Sequence, residues 1–324
     1  MKTNFKTIGL SLLLLISFAS CDNTDGDDIK LSPPTAGAFK SISEKGVKRN
    51  TQNFTMTAGN GTVTLTSAKG VKLYINGDCL TKNGNPVTGQ VDIEYIELFD
   101  KGNMLVTNKP TMGIMPDGKK NLLISGGEFF IKATQGGVEL KTSCSLSMIV
   151  PTGLTDGYDN LMTLWTGVID EDGELAWREA NANADGKGGV QGEGNNYYVT
   201  FGNFGWTNVD RFYSDPRPKT TILVDVPDGY NNTNSAVYLS YDGEGTNALA
   251  KLDTYTAEGL FSEHYGQIPV GLACHIIFAT EDNGNWRYAI KGVTTTANAV
   301  YTFTLAETTV GTEAQLVAAI NAIQ

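Results

Sequence analysis

Few side chains in this 324-residue chain can do chemistry, and they are scattered along it. The two histidines, His264 and His275, flank a turn at Gly266 and can form a two-histidine metal pair. No third ligand stands at a recognisable spacing. The nucleophile elbow G-x-S-x-G, the helix motif H-E-x-x-H and the phosphate-binding loop are all missing. Carboxylates are plentiful, but glycoside hydrolysis needs two of them at a fixed separation, which chain order does not give. No catalysis and no cofactor are expected, and a hydrolase is the last of the readings kept.

The densest group of recognition-capable residues runs from Tyr197 to Tyr213, with Tyr198, Phe201, Phe204, Trp206 and Phe212 set around Asn208, Asp210 and Arg211. Two readings compete. Ring faces beside hydroxyl-fixing polar groups suit a glycan, which makes Trp206, Asn208, Asp210 and Arg211 the candidate ligand-binding set. Large rings also dominate packing, and Gly202 and Gly205 allow close backbone approach. The preferred reading is therefore an interdomain plug with Arg211 held by a carboxylate.

The acidic turn Asp170-Glu171-Asp172-Gly173-Glu174 lacks the calcium-loop spacing and the glutamate six residues past its glycine, so it reads as a solvated turn. The four cysteines are Cys21, Cys79, Cys144 and Cys274. Cys79 and Cys144 share one predicted domain and can pair. Buried free thiols are preferred, because Cys144 and Cys274 sit in strand-like runs.

Cys21 has a different context. Lys2 and Lys6 precede an apolar run from about Ile8 to Ala19, and Ala19-Ser20 stand directly before the cysteine. That run is too short to span a hydrocarbon core needing about 20 residues. The stretch resembles a bacterial lipoprotein box, and the resemblance implies cleavage before Cys21 and lipidation of that residue. Several acyl chains on one residue anchor durably where one alone holds marginally. Asp22, Asp25, Asp27 and Asp28 follow, similar to the acidic export tag of surface lipoproteins in the Bacteroidota. The implied location is the outer membrane, lipid-anchored and exposed at the cell surface.

Composition fits that location. With 24 basic against 35 acidic side chains the net charge is -11, which disfavours nucleic acid and anionic lipid as partners of the folded surface. Residues 21–46, with Ser32-Pro33-Pro34, read as leader and tether. From about Asn53 the pattern has period two: Val71, Leu73, Ile75, then Val91, Ile93, Tyr95 alternate with polar residues, the mark of half-buried strands. Asn76-Gly77, Asn83-Gly84, Asp228-Gly229, Asp242-Gly243 and Asn283-Gly284 are turn signals. Asn181 to Asn196 reads as a mobile loop by its Gly, Asn and Asp content. Thr312 with Gln315 makes a capping box, and Leu316, Ile320 and Ile323 share one helical face.

Gly61-Thr62-Val63-Thr64-Leu65, Gly70 to Ile75 and Asn83 to Leu98 together resemble the start of a ZU5-like β domain. Ser125 to Ala133 and Phe204 to Tyr213 are similar to segments of uncharacterised Bacteroidota lipoproteins. That resemblance implies an interaction or scaffold module and hands on no catalytic residue. Ile268-Pro269-Val270-Gly271 weakly resembles carrier-type sandwiches of the transthyretin kind.

The expected fold is all-β, two sandwich-like domains in tandem. Its parts are a signal peptide (1–20), leader and tether (21–46), a ZU5-like domain (47–155), a hairpin and aromatic connector (156–215), a second sandwich (216–311) and a C-terminal helix (312–324). The expected role is a non-catalytic binding or structural module with an envelope protein or glycan as partner.

Overall fold

Val71, Leu73 and Ile75 are buried with Lys72 exposed between them, and Val91, Ile93 and Tyr95 repeat the pattern. Period-two burial gives each strand one face for a core, and the fold is all-β with three short helices among the described residues. The computed structural model describes residues 32–169, 174–180, 188–263 and 265–324. Cys21 with its signal and acidic leader, the turn at 170–173 and His264 lie outside the described residues.

One large sheet is built in the order Thr51–Ala58, Gly89–Leu98, Lys120–Gln135, Gly205–Phe212, Thr163–Ile169, Leu175–Glu179, Met112–Ile114. Met112–Ile114 pairs with Leu175–Glu179 and also with the start of Lys120–Gln135, so the far end of the sheet closes on itself. Leu123, Trp165, Leu175 and Trp177 pack together in this curl. The facing sheet is Gly189–Glu193, Asn196–Phe201, Leu146–Pro151, Lys72–Asn76, Thr62–Thr66. A second sandwich pairs a four-stranded sheet containing Leu223–Asp225 and Val300–Thr302 with a five-stranded one centred on Ser235–Tyr241 and Ala273–Asp282.

Three helices lie between the sandwiches: α1 (Ala36–Asn50), α2 (Lys101–Val106) and α3 (Glu313–Asn321). Ile42, Met104, Leu105, Leu316 and Ile320 join Ile96 and Leu98 of the large sheet to Tyr238, Ile277 and Trp286 of the second sandwich in one apolar cluster. Residues 33–324 consequently form one compact unit.

Several expectations are corrected here. The tether ends early: Thr35 caps α1 by accepting from the Ala38 amide. The segment 156–215 is no connector, because Thr163–Ile169 and Gly205–Phe212 lie inside the large sheet and Asn196–Phe201 inside its partner. The second half of the expected loop, Gly189–Glu193, is a strand paired with Asn196–Phe201. Asn76-Gly77 opens a 3-10 turn rather than a tight hairpin, whereas Asn83-Gly84 and Asn283-Gly284 do take positive φ. Cys79 and Cys144 are disulfide-bonded, and Cys274 is a buried free thiol. The capping box of Thr312 and Gln315 starts α3 as expected.

Candidate functional site

The Gly205–Phe212 strand pairs with Lys120–Gln135 on one side and Thr163–Ile169 on the other. Alternation places Trp206, Asn208, Asp210 and Phe212 on one face and Val209 on the other, in the sandwich core. Between Asn208↔Glu128 and Asp210↔Ser125 the partner strand carries an extra residue, a bulge at Gly126-Gly127. Gly127 has φ +131°, and a Cβ there would meet the Phe99 and Phe129 rings at 2.6 and 2.7 Å. Only glycine fits. The bulge brings Ser125 and Glu128 to the same face as Asn208 and Asp210.

That face is closed. Trp206 is half-buried between Phe130, 5.2 Å between ring centroids, and Trp177 at 6.1 Å, with the Lys109 ammonium 5.7 Å above its ring. Asn208 and Asp210 are fully enclosed. Asn208 donates to the Asp210 carboxylate and accepts from the Ser125 hydroxyl at 3.1 Å. Trp165 donates its indole N–H to the Asp210 carbonyl at 2.9 Å. Of the four residues nominated as a ligand set, Asn208 and Asp210 are therefore internal structure that a ligand does not reach, and Trp206 is half-buried in ring packing. Trp206→Ala is expected to lower the unfolding free energy by about 2–3 kcal/mol in urea titration, short of a fully buried tryptophan's loss because the ring is half-exposed.

Both Glu128 side-chain oxygens and one Asp210 oxygen have no hydrogen-bond partner. Burial, with Asp210 adding to it and Lys109 opposing, holds Glu128 well above the usual carboxylate range. Burial likewise raises Asp210, against hydrogen bonds from Ser125, Gly126 and Asn208. Desolvation thus favours the neutral acids in this knot.

Arg211 points the other way, into an open cleft of about 590 Å³. The loop Thr155–Asn160, which follows the Leu146–Pro151 strand, forms one wall. Gly243, Glu244 and Asn247, between the Ser235–Tyr241 and Ala250–Leu252 strands, form the other. Arg211 donates to Asp159 at 2.5 Å, so the expected carboxylate clamp on this arginine is present. Burial acts to raise Asp159, but the Leu161 amide and Arg211 outweigh it and hold the carboxyl below its ordinary value. The Asp159 amide donates to the Tyr197 hydroxyl at 2.7 Å, and that hydroxyl donates to the Gly157 carbonyl at 3.2 Å, which fixes the loop. Tyr158, 51% exposed at the rim, leans on Tyr197.

Sequence reasoning found Arg211 and missed the rest of this cleft. Its walls come from turns far apart in the chain, and the only local signals were the polar runs Thr155 to Asn160 and Asp242 to Asn247. His275 bonds Asp242 at 2.8 Å, and the described residues contain no group of three or more His, Cys, Asp or Glu suited to a metal. No protein-family model matches the chain, and no curated protein is recognisably similar to it.

Proposed function

We propose that this chain is a lipid-anchored envelope protein, held at the outer membrane through Cys21 and exposed at the cell surface, whose folded part is a non-catalytic binding and structural module. One observation carries the reading: the Cys79–Cys144 bridge across 65 residues. Structural disulfides persist in oxidising compartments and are rare in the cytosol. The bridge also accounts for the cysteines. Two are paired and Cys274 is buried, where burial and Asp242 push its thiol up to about 12 and keep it unreactive. Cys21, behind its apolar run, is left for acylation.

The helix layer supports the structural half of the role, since its apolar cluster joins two sandwiches into one compact unit. The test is metabolic labelling with a fatty acid in a bacterium that processes lipoproteins. The wild-type chain is expected to take up label and fractionate with the outer membrane, and Cys21→Ser to lose both. Label retained by Cys21→Ser would refute the anchor.

A further inference from the structure

The Arg211 cleft has more acceptors than the protein satisfies. Its lining brings together Asp156, Asp159, Glu244 and a single guanidinium, and that guanidinium is committed to Asp159. Asp156 and Glu244 form no ion pair with any described residue. Lys101 acts on Asp156 from a distance, but its ammonium is taken up by Ser240, Gly245 and Ile323. Burial raises the Glu244 carboxyl, with Asp156 and Asp215 adding to the rise and Arg211 opposing it. The site carries negative charge at a cost that a bound cation would relieve.

A second observation comes from the inner wall. Asn247 is 2% exposed, its side-chain amide N–H donates to the Ser125 carbonyl at 2.7 Å, and its side-chain oxygen has no partner. A buried acceptor without a donor is costly, and this one lines the same cleft as the two uncompensated carboxylates. An ammonium group has three donors and no acceptor, which matches three such oxygens. A divalent metal fits less well, because the described residues offer no group of three or more classical ligands and a hard cation takes six or more oxygens. The volume, about 590 Å³, is that of a small-molecule site. At the rim the exposed Tyr158 ring is braced to take a cation or a ring face.

We propose that this cleft binds a small ligand carrying a protonated primary amine, its ammonium seated among Asp156, Glu244 and the Asn247 side-chain oxygen. Two sources share that chemistry, amino sugars and aliphatic amines, and one experiment separates them. The purified protein is titrated calorimetrically with glucosamine, putrescine, N-acetylglucosamine and calcium. Glucosamine alone binding assigns an amino sugar, and putrescine binding as well assigns the amine irrespective of its carrier. Either outcome supports the site if N-acetylglucosamine, in which the amine is capped and neutral, binds at least ten times more weakly.

Glu244→Gln and Asp156→Asn should each weaken amine binding by about 10-fold or more, the loss of one charge-assisted contact. Neither side chain makes a hydrogen bond within the described fold, so both variants should melt as the wild type does. The proposal is overturned by equal affinity for the acetylated sugar, by calcium binding in place of amines, by no amine binding at millimolar concentration, or by binding that both variants leave intact.

Discussion

Replacing Cys79 and Cys144 together by alanine is expected to lower the unfolding free energy by about 4 kcal/mol, the chain-entropy value for a closed loop of this length. The bridge spans 65 residues, and what it fastens cannot hold itself. Cys79 ends a 3-10 turn, and next to it Lys141–Thr142, Leu80–Lys82 and Asn85–Pro86 make a sheet of strands only two or three residues long. Two residues of pairing do not offset the backbone entropy of ordering them. The Ser143 amide reaches the Cys79 carbonyl at 3.0 Å, but that contact needs the two ends already together. Urea denaturation of the wild type with and without reductant gives the check: the reduced protein should unfold near the midpoint of the double variant. Cys274→Ala serves as control for the remaining thiol, which is buried. Coincident midpoints for oxidised wild type and double variant would show that the bridge contributes nothing.

Elements with a single buried face were legible in the sequence. Val91, Ile93 and Tyr95 bury one side only, and period two is the signature of that arrangement. The turns at Asn83-Gly84 and Asn283-Gly284 were readable because their positive φ restricts which residues can stand there. What escaped reading was the large sheet's second buried face. There Asn208, Asp210, Glu128 and Ser125 are enclosed, so polar residues occupy positions that alternation assigns to solvent. Helix α1 escaped for a related reason. It meets the end of α2 at Gly46, where an added Cβ would come 2.4 Å from the Val106 carbonyl oxygen. Hydropathy does not register a glycine as a contact. The boundary placed at residue 155 failed because strand order within a sheet is not chain order: Gly205–Phe212 lies beside Lys120–Gln135, although strands of both sheets stand between them in the chain. Arg211 was legible as a clamped cation, while Glu244 and Asn247, facing it from the other sandwich, belong to no local pattern.

Lys101→Met is expected to cost about 3–5 kcal/mol, although the substitution preserves the length and apolar stem of the side chain. Lys101 is fully buried, and its ammonium donates to the Ser240 hydroxyl at 3.0 Å, the Gly245 carbonyl at 3.0 Å and the Ile323 carbonyl at 2.7 Å. It thus ties α2 to a central strand of the second sandwich, to the cleft loop and to the chain end beyond α3. Methionine would leave these three acceptors without their donor, the Ser240 and Ile323 contacts buried and the Gly245 one half-buried, and each buried oxygen carries its own desolvation penalty. Ser240→Ala, which removes only one of the three contacts, should cost about 1 kcal/mol. Burial pulls the Lys101 pKa below the ordinary lysine value, against Asp242 and Asp156. Between that lowered value and 10.5 the unfolded chain binds more protons than the folded one, so this residue makes wild-type stability rise with pH. The methionine variant lacks that contribution, and its deficit should widen across the same alkaline window in urea titrations. A deficit that stays constant with pH would mean that Lys101 contributes packing alone. One that vanishes would mean that the three oxygens find other donors.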